Sequence, residues 1–121
     1  MPAQVRYFVK DVDESADFYT TYLGFKQERK TPALAVLSHG DLQLWLVGPN
    51  AAMAKPILDG SKPEPGGWNR IVVTVQGLDP FLAKLKDRRV VIRDDVSLSA
   101  NGRHVLFEDP SGNLVEIFEP G

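Results

Sequence analysis

The sequence repeats itself. Val9-Lys10-Asp11-Val12-Asp13 and Val75-Gln76-Gly77-Leu78-Asp79 match at one constant offset, and the same offset sets Gln4 opposite Arg70. His39-Gly40-Asp41-Leu42 matches Ser111-Gly112-Asn113-Leu114 at a slightly larger offset, so the second half carries a small insertion. Repetition restricts the fold more than any single motif, because each copy must adopt the same supersecondary unit. Short β-hairpins cannot bury a face alone. Two copies placed side by side can curl their sheets around a shared cleft.

The content of each copy follows from residue patterning. Val5 to Val9 is a short apolar run suited to a strand. Asp11 can cap a helix and Glu14, three residues on, can close a capping box. Ala16, Tyr19 and Leu23, with Phe18 and Tyr22 beside them, give that helix one apolar face, and Gly24 supplies a left-handed stop. Phe25 to Lys30, Leu34 to Ser38 and Leu42 to Val47 read as three strands. In the second copy Arg70 to Val75 is a β-branched strand. Asp79 then reads as a cap with Pro80 at the first helical position, and Leu78, Phe81, Leu82 and Leu85 form the stripe. Val90 to Ile92, His104 to Glu108 and Leu114 to Phe118 read as strands. Asp94 to Gly102 reads as a polar, turn-rich stretch, which Val96 and Leu98 could turn into more strand.

The expected architecture is therefore α+β, two βαβββ modules forming a curled mixed sheet around a shared cleft. Residues 1–48 form the first module, 49–68 a linker and 69–121 the second, within one domain of 121 residues. The linker holds Pro49, Pro56, Pro63 and Pro65 with Gly60, Gly66 and Gly67, a density that forbids a long helix or central strand. Irregular segments of that length often serve as lids or connectors.

Composition narrows the function. A formal charge of −2 favours neither nucleic acid nor an anionic membrane. The absence of cysteine excludes disulfides, thiol nucleophiles and thiolate metal sites. No apolar run approaches the roughly 20 residues of a membrane span, and the opening residues lack the order of a secretory signal. A soluble, cytoplasmic protein is expected.

Two stretches carry a family resemblance. Val9-x-Asp11-Val12-x-x-Ser15-x-x-Phe18-Tyr19-x-x-x-Leu23-Gly24-Phe25 resembles the opening of vicinal-oxygen-chelate proteins, the group of glyoxalase I, bleomycin-resistance proteins and extradiol dioxygenases. Glu108-Asp109-Pro110-Ser111-Gly112-Asn113-Leu114-Val115-Glu116 resembles their closing strand. The resemblance implies a metal ligand on the first strand of each half and a carboxylate on the last, which in metalloenzymes would hold Mn, Fe, Ni or Zn. Here those positions read Gln4, Arg70, Glu116 and either Leu44 or Trp45. An amide oxygen can ligate a metal, but a guanidinium has no lone pair to give. Two ligands from four positions fall short of the usual three. No metal and no other cofactor is expected.

Arg70 and Glu116 are instead expected to form a bidentate pair. Strand alternation puts Arg6 with Gln4, Val72 and Thr74 with Arg70, Gln43 with Trp45, and Leu114 and Phe118 with Glu116. That mix of aromatic, cationic and amide groups suits a small planar or anionic ligand. Plainer readings compete: Trp45 can be core, Arg70–Glu116 purely structural, His39 solvated in a turn, His104 structural, and Asp94-Asp95 a solvated loop. Ser97 and Ser99 have no His and Asp at useful spacing, so no nucleophilic triad is expected. Residues 50–67 lack a phosphate-loop motif.

Three functions follow, in this order. The first is metal-free binding of a small molecule, as the resemblance to bleomycin-resistance proteins implies. The second is a metal-free enzyme with Glu116 as general base and Arg70 or Arg6 stabilising an oxyanion. The third is a metal-dependent lyase, isomerase or dioxygenase of the glyoxalase type. The resemblance also implies a homodimer, with the Pro/Gly-rich segment able to act as a hinge for strand exchange.

Overall fold

The computed structural model describes residues 3–99 and 101–121, with the side chains of 97–99 excepted. The side chains of Ser97 and Ser99 therefore lie outside the described residues. The element order is β1 (Gln4–Phe8), α1 (Val12–Tyr22), β2 (Lys26–Lys30), β3 (Leu34–His39), β4 (Leu42–Val47), β5 (Arg70–Thr74), α2 (Leu78–Asp87), β6 (Ile92–Ser99), β7 (Gly102–Glu108) and β8 (Leu114–Pro120). Strand pairing gives two four-stranded sheets, ordered β1-β4-β3-β2 and β5-β8-β7-β6. Each has a parallel pair at one side, β1 with β4 or β5 with β8, and antiparallel pairs elsewhere. The repeat is thus two βαβββ modules of identical strand order.

The chain divides into two compact units, one ending at Gly66 and the other beginning at Gly67. Most of the segment read as a linker belongs to the first unit. There it carries a single 3₁₀ turn, Ala52–Ala54.

In the first unit, α1 packs on β3 and β4. Asp11 caps it by accepting from the Glu14 N–H at 2.9 Å. Val12, Ser15, Ala16, Phe18 and Tyr19 are buried at helical spacing. Tyr19 is fully buried, with edge-on contacts to Phe18 and Phe25 at 5.4 and 5.5 Å between centroids; such pairs add roughly 0.5–1.5 kcal/mol each beyond the area they bury. Gly24, at φ 72°, ends the helix as its position predicts.

The second unit departs from expectation in three places, one being that Val90 and Val91 precede β6 and are not part of it. Gly77, not Asp79, is the N-cap of α2. Glycine offers no side-chain acceptor, and the Glu119 carboxylate on β8 takes the Leu78 N–H at 2.8 Å instead. Asp79 lies in the first turn and pairs with Arg103 at 3.3 Å. The stretch after Asp94 is not a loop: β6 runs through Asp94 and Asp95 to Ser99. Two register shifts break its pairing with β7, at Ile92/Asp94 and Asp94/Ser97. Bulges and charge on an edge strand discourage edge-to-edge association, which is why a strand there can look like a loop in sequence.

Candidate functional site

Alternation along β1 and β4 gives the first unit one covered and one open face. Tyr7, Leu44 and Leu46 are buried, whereas Gln4 and Arg6 are exposed and Gln43 and Trp45 half-buried. Parallel register sets Gln4 beside Gln43 and Arg6 beside Trp45. The Arg6 guanidinium lies 5.2 Å from the centroid of the Trp45 ring. The Trp45 Nε1–H donates to Gln43 Oε1 at 2.9 Å, which fixes the indole within its plane. The grouping of Gln4, Arg6, Gln43 and Trp45 on one face of one sheet is thus what the residue pattern predicts.

Arg29 joins this face without any sign in the pattern. Its guanidinium is 5.7 Å from the Trp45 centroid. Lys26–Lys30 reads as an undistinguished polar strand, but a bulge between Gln27 and Arg29 shifts the register so that Arg29 pairs with Val36, itself the neighbour of Trp45. Glu28, the extra residue, accepts from Ser38 Oγ at 2.7 Å and lies 3.9 Å from Lys26 Nζ. Among the described residues, no carboxylate is within ion-pair distance of Arg6 or Arg29. Two guanidiniums therefore flank one indole with their charge uncompensated by ion pairing.

The second unit differs in charge. Arg70, Val72 and Thr74 are exposed between buried Ile71 and Val73. Glu116 and Phe118 are half-buried, and Leu114, on the same side, is covered. Thr74 is set beside Phe118, and His104, half-buried on β7, beside Phe118 from the other side. Arg70 and Glu116 do pair, but through one contact, Nη1 to Oε1 at 3.3 Å, and not as a bidentate fork. The register explains it: Arg70 neighbours Leu114, so it reaches Glu116 diagonally, from one side. A pair with side chains 34% and 19% exposed contributes roughly 0–1 kcal/mol. Arg93 pairs with Glu108 at 3.2 Å and lies 5.3 Å from the Trp68 centroid, a grouping that strand patterning did not single out.

Three other expectations change or gain a cause. His39 is not a solvated turn residue; it ends β3, is half-buried, and packs against Phe25 at 5.1 Å between ring centroids. Asp94 and Asp95 are exposed, but on a strand. The closing motif owes its residues to a turn. The buried Asp109 carboxylate accepts from the N–H of Ser111 and of Asn113 at 2.8 and 2.9 Å, and from Asn113 Nδ2 at 3.1 Å.

The donor set does not fit a divalent cation. Trp45 neighbours Arg6 as Glu116 neighbours Val72, so the fourth position is an indole. The four groups are then an amide, a guanidinium, an indole and a single carboxylate, and the guanidinium already engages that carboxylate. Among the described residues no three His, Cys, Asp or Glu side chains are grouped to hold a metal.

Residues 2–117 match the model of the Glyoxalase/Bleomycin resistance protein/Dioxygenase superfamily. The chain belongs to that superfamily. Solved structures of similar fold include a lactoylglutathione lyase from Agrobacterium tumefaciens, 18% identical, covering 97% of this chain and 92% of that one at a TM-score of 0.74. A fosfomycin resistance protein from Listeria monocytogenes is 14% identical, with coverage of 98% and 92% and a TM-score of 0.74. An antibiotic-binding protein from a Streptomyces species is 22% identical, with coverage of 100% and 98% and a TM-score of 0.69. Comparison with curated proteins finds no match. At these identities the superfamily neighbours establish the fold, which hosts several chemistries. No helix is long and apolar enough to cross a membrane among the described residues.

Proposed function

We propose that this superfamily member binds a small planar organic anion, without a metal ion, on the open face of its first sheet. Trp45 is the stacking surface, Arg6 and Arg29 the charge partners, and Gln4 and Gln43 the neutral hydrogen-bonding groups beside them. The observation that carries this reading is the pair of guanidiniums at the Trp45 ring, 5.2 and 5.7 Å from its centroid, with no ion-paired carboxylate among the described residues. A guanidinium beside an aromatic ring still offers N–H donors in its own plane, which match a carboxylate or phosphonate. Two structural neighbours, an antibiotic-binding protein and a fosfomycin resistance protein, are in keeping with capture of a small molecule. Catalysis with Glu116 as general base has less support, because its Oε1 is occupied by Arg70.

The test is tryptophan emission in a Trp68→Phe background, so that Trp45 alone reports. Planar aromatic carboxylates and phosphonates are titrated beside their neutral isosteres. Anions should quench and bind at least tenfold tighter than the isosteres. Arg6→Ala and Arg29→Ala should each weaken binding roughly 10- to 100-fold, the range of a hydrogen bond to a charged group. Equal affinity for neutral isosteres, or silence across the panel, would overturn the reading.

A further inference from the structure

A second cleft lies in the first unit, at the ends where β1 and β4 finish. Its lining comes from three places: Phe8, Val9 and Lys10 after β1; Val47, Gly48 and Pro49 after β4; and Ala54, Lys62, Pro63, Glu64 and Pro65 of the proline-rich segment. The volume is about 200 Å³. An apolar cavity of roughly 150 Å³ holds benzene, so a single ring or a short chain fits.

The walls are held by the backbone. The Gly48 N–H donates to the Ala33 carbonyl at 2.8 Å, and Ala51 and Ala54 continue with turns back to Gly48 and Ala51. A methyl group on Gly48 would stand 2.6 Å from Val12 Cγ2, so the strap leaves β4 pressed against α1. Val47, Ala51 and Ala54 form a buried cluster with Phe8, Ala33, Trp45 and Met53 against it. The far end of the strap closes on itself through Ile57 N–H to Ser61 O at 2.9 Å. Pro49, Pro63 and Pro65 cannot rotate about φ, so this side of the cleft is preformed and its ordering costs little on binding.

Charge selects the ligand. The depth is apolar, with Val9, Val47 and Ala54 all buried, whereas Lys10, Lys62 and Glu64 are exposed. The charged side chains of the lining are two ammoniums and one carboxylate. An apolar body with one negative end is complementary to that arrangement. We propose that this cleft, which continues past Trp45 along the same side of β1 and β4, is a binding site for a small apolar monocarboxylate, of the size of benzoate or a short-chain fatty acid, that engages neither Arg6 nor Arg29.

Isotope-labelled full-length protein is titrated with sodium benzoate, sodium hexanoate and benzyl alcohol, and followed by methyl and amide NMR. The carboxylates should shift Val9, Val47 and Ala54 with roughly millimolar or tighter affinity, as expected for about nine heavy atoms. Benzyl alcohol should bind at least fivefold more weakly. Lys62→Glu, at an exposed position, should weaken carboxylate binding at least tenfold. Ala54→Leu, checked for folding by its amide spectrum, should abolish it by filling the cleft, and Arg6→Ala should leave it within twofold. Shifts confined to Gln43, Trp45, Arg6 and Arg29 with none at Val9 or Ala54, equal binding of the alcohol, or indifference to Lys62→Glu would each overturn the proposal.

Discussion

Trp45 holds in the first sheet the place that Glu116 holds in the second: Trp45 is paired with Arg6, and Glu116 with Val72, the repeat partner of Arg6. One position of a duplicated unit thus carries an indole in one copy and a carboxylate in the other. With Arg70 at the repeat position of Gln4, the four positions at which the resemblance implies metal ligands supply one anionic oxygen donor, already in an ion pair.

The consequence for metals is direct. Protein purified and dialysed without chelator should carry no stoichiometric Mn, Fe, Ni or Zn by elemental analysis. Chelator treatment should leave its melting temperature unchanged, because a bound metal stabilises by mass action and its removal would lower that temperature. A transition metal retained at one per chain, with loss of stability on chelation, would refute the metal-free reading.

A second prediction concerns the end of α2. Gly24 follows α1 at φ 72°, and the matching place after α2 is taken by Arg89 at φ 56°. A side chain in the left-handed region costs roughly 1–2 kcal/mol, against about 0.5–1 kcal/mol of extra unfolded-state entropy for glycine. Arg89→Gly should therefore stabilise the protein by about 0.5–1 kcal/mol. Urea unfolding of the two proteins at equal slope measures it, and a lower midpoint in the variant would contradict the argument.

Gly102 gives the opposite result. It begins β7 at φ 147°, and a methyl group there would stand 2.1 Å from the Glu119 carbonyl oxygen and 2.9 Å from the Gly121 nitrogen. Both obstacles are backbone, held in the β7–β8 ladder where Gly102 pairs with Pro120. Gly102→Ala should cost roughly 3 kcal/mol, the upper range for overpacking. Thermal unfolding is the measure; a cost below about 1 kcal/mol would mean that the strand end yields easily.

What was legible in the sequence was local and periodic. Alternation placed Gln4 and Arg6 on one face and Arg70, Val72 and Thr74 on another, and Asp11 and Gly24 marked the ends of α1. What was not legible depended on a shift of register or a distant partner. The bulge that brings Arg29 to Trp45 leaves no mark in Lys26–Lys30. The cap of α2 comes from Glu119, far along the chain, whereas the nearest acceptor in sequence is Asp79. The ion pair of Arg70 was expected from charge alone, but its single contact follows from a register that composition does not encode.

The last prediction rests on that distant cap. Glu119 takes the Leu78 N–H with Oε2 at 2.8 Å and Arg103 with Oε1 at 2.8 Å from Nη2, while Arg103 also reaches Asp79. The Leu78 N–H first, and then Arg103, hold the Glu119 carboxyl below the usual glutamate range. The hydrogen bond it donates to Asp79 first, and then that to Glu119, pushes the Arg103 guanidinium further up, where it stays charged at any working pH. A carboxyl whose folded pKa is depressed binds fewer protons folded than unfolded. Its stabilisation is present above the unfolded value of about 4.3 and is lost as pH falls through that value and on through the folded one. Wild-type stability should thus decline below about pH 5 with a slope to which Glu119 contributes. Glu119→Gln keeps an acceptor for Leu78 but removes the titrating charge. It should be less stable than wild type at pH 7, and the gap between the two should close as pH falls toward 3. Urea midpoints across that range decide it: a gap independent of pH would show that shape, and not charge, is what Glu119 supplies to the start of α2.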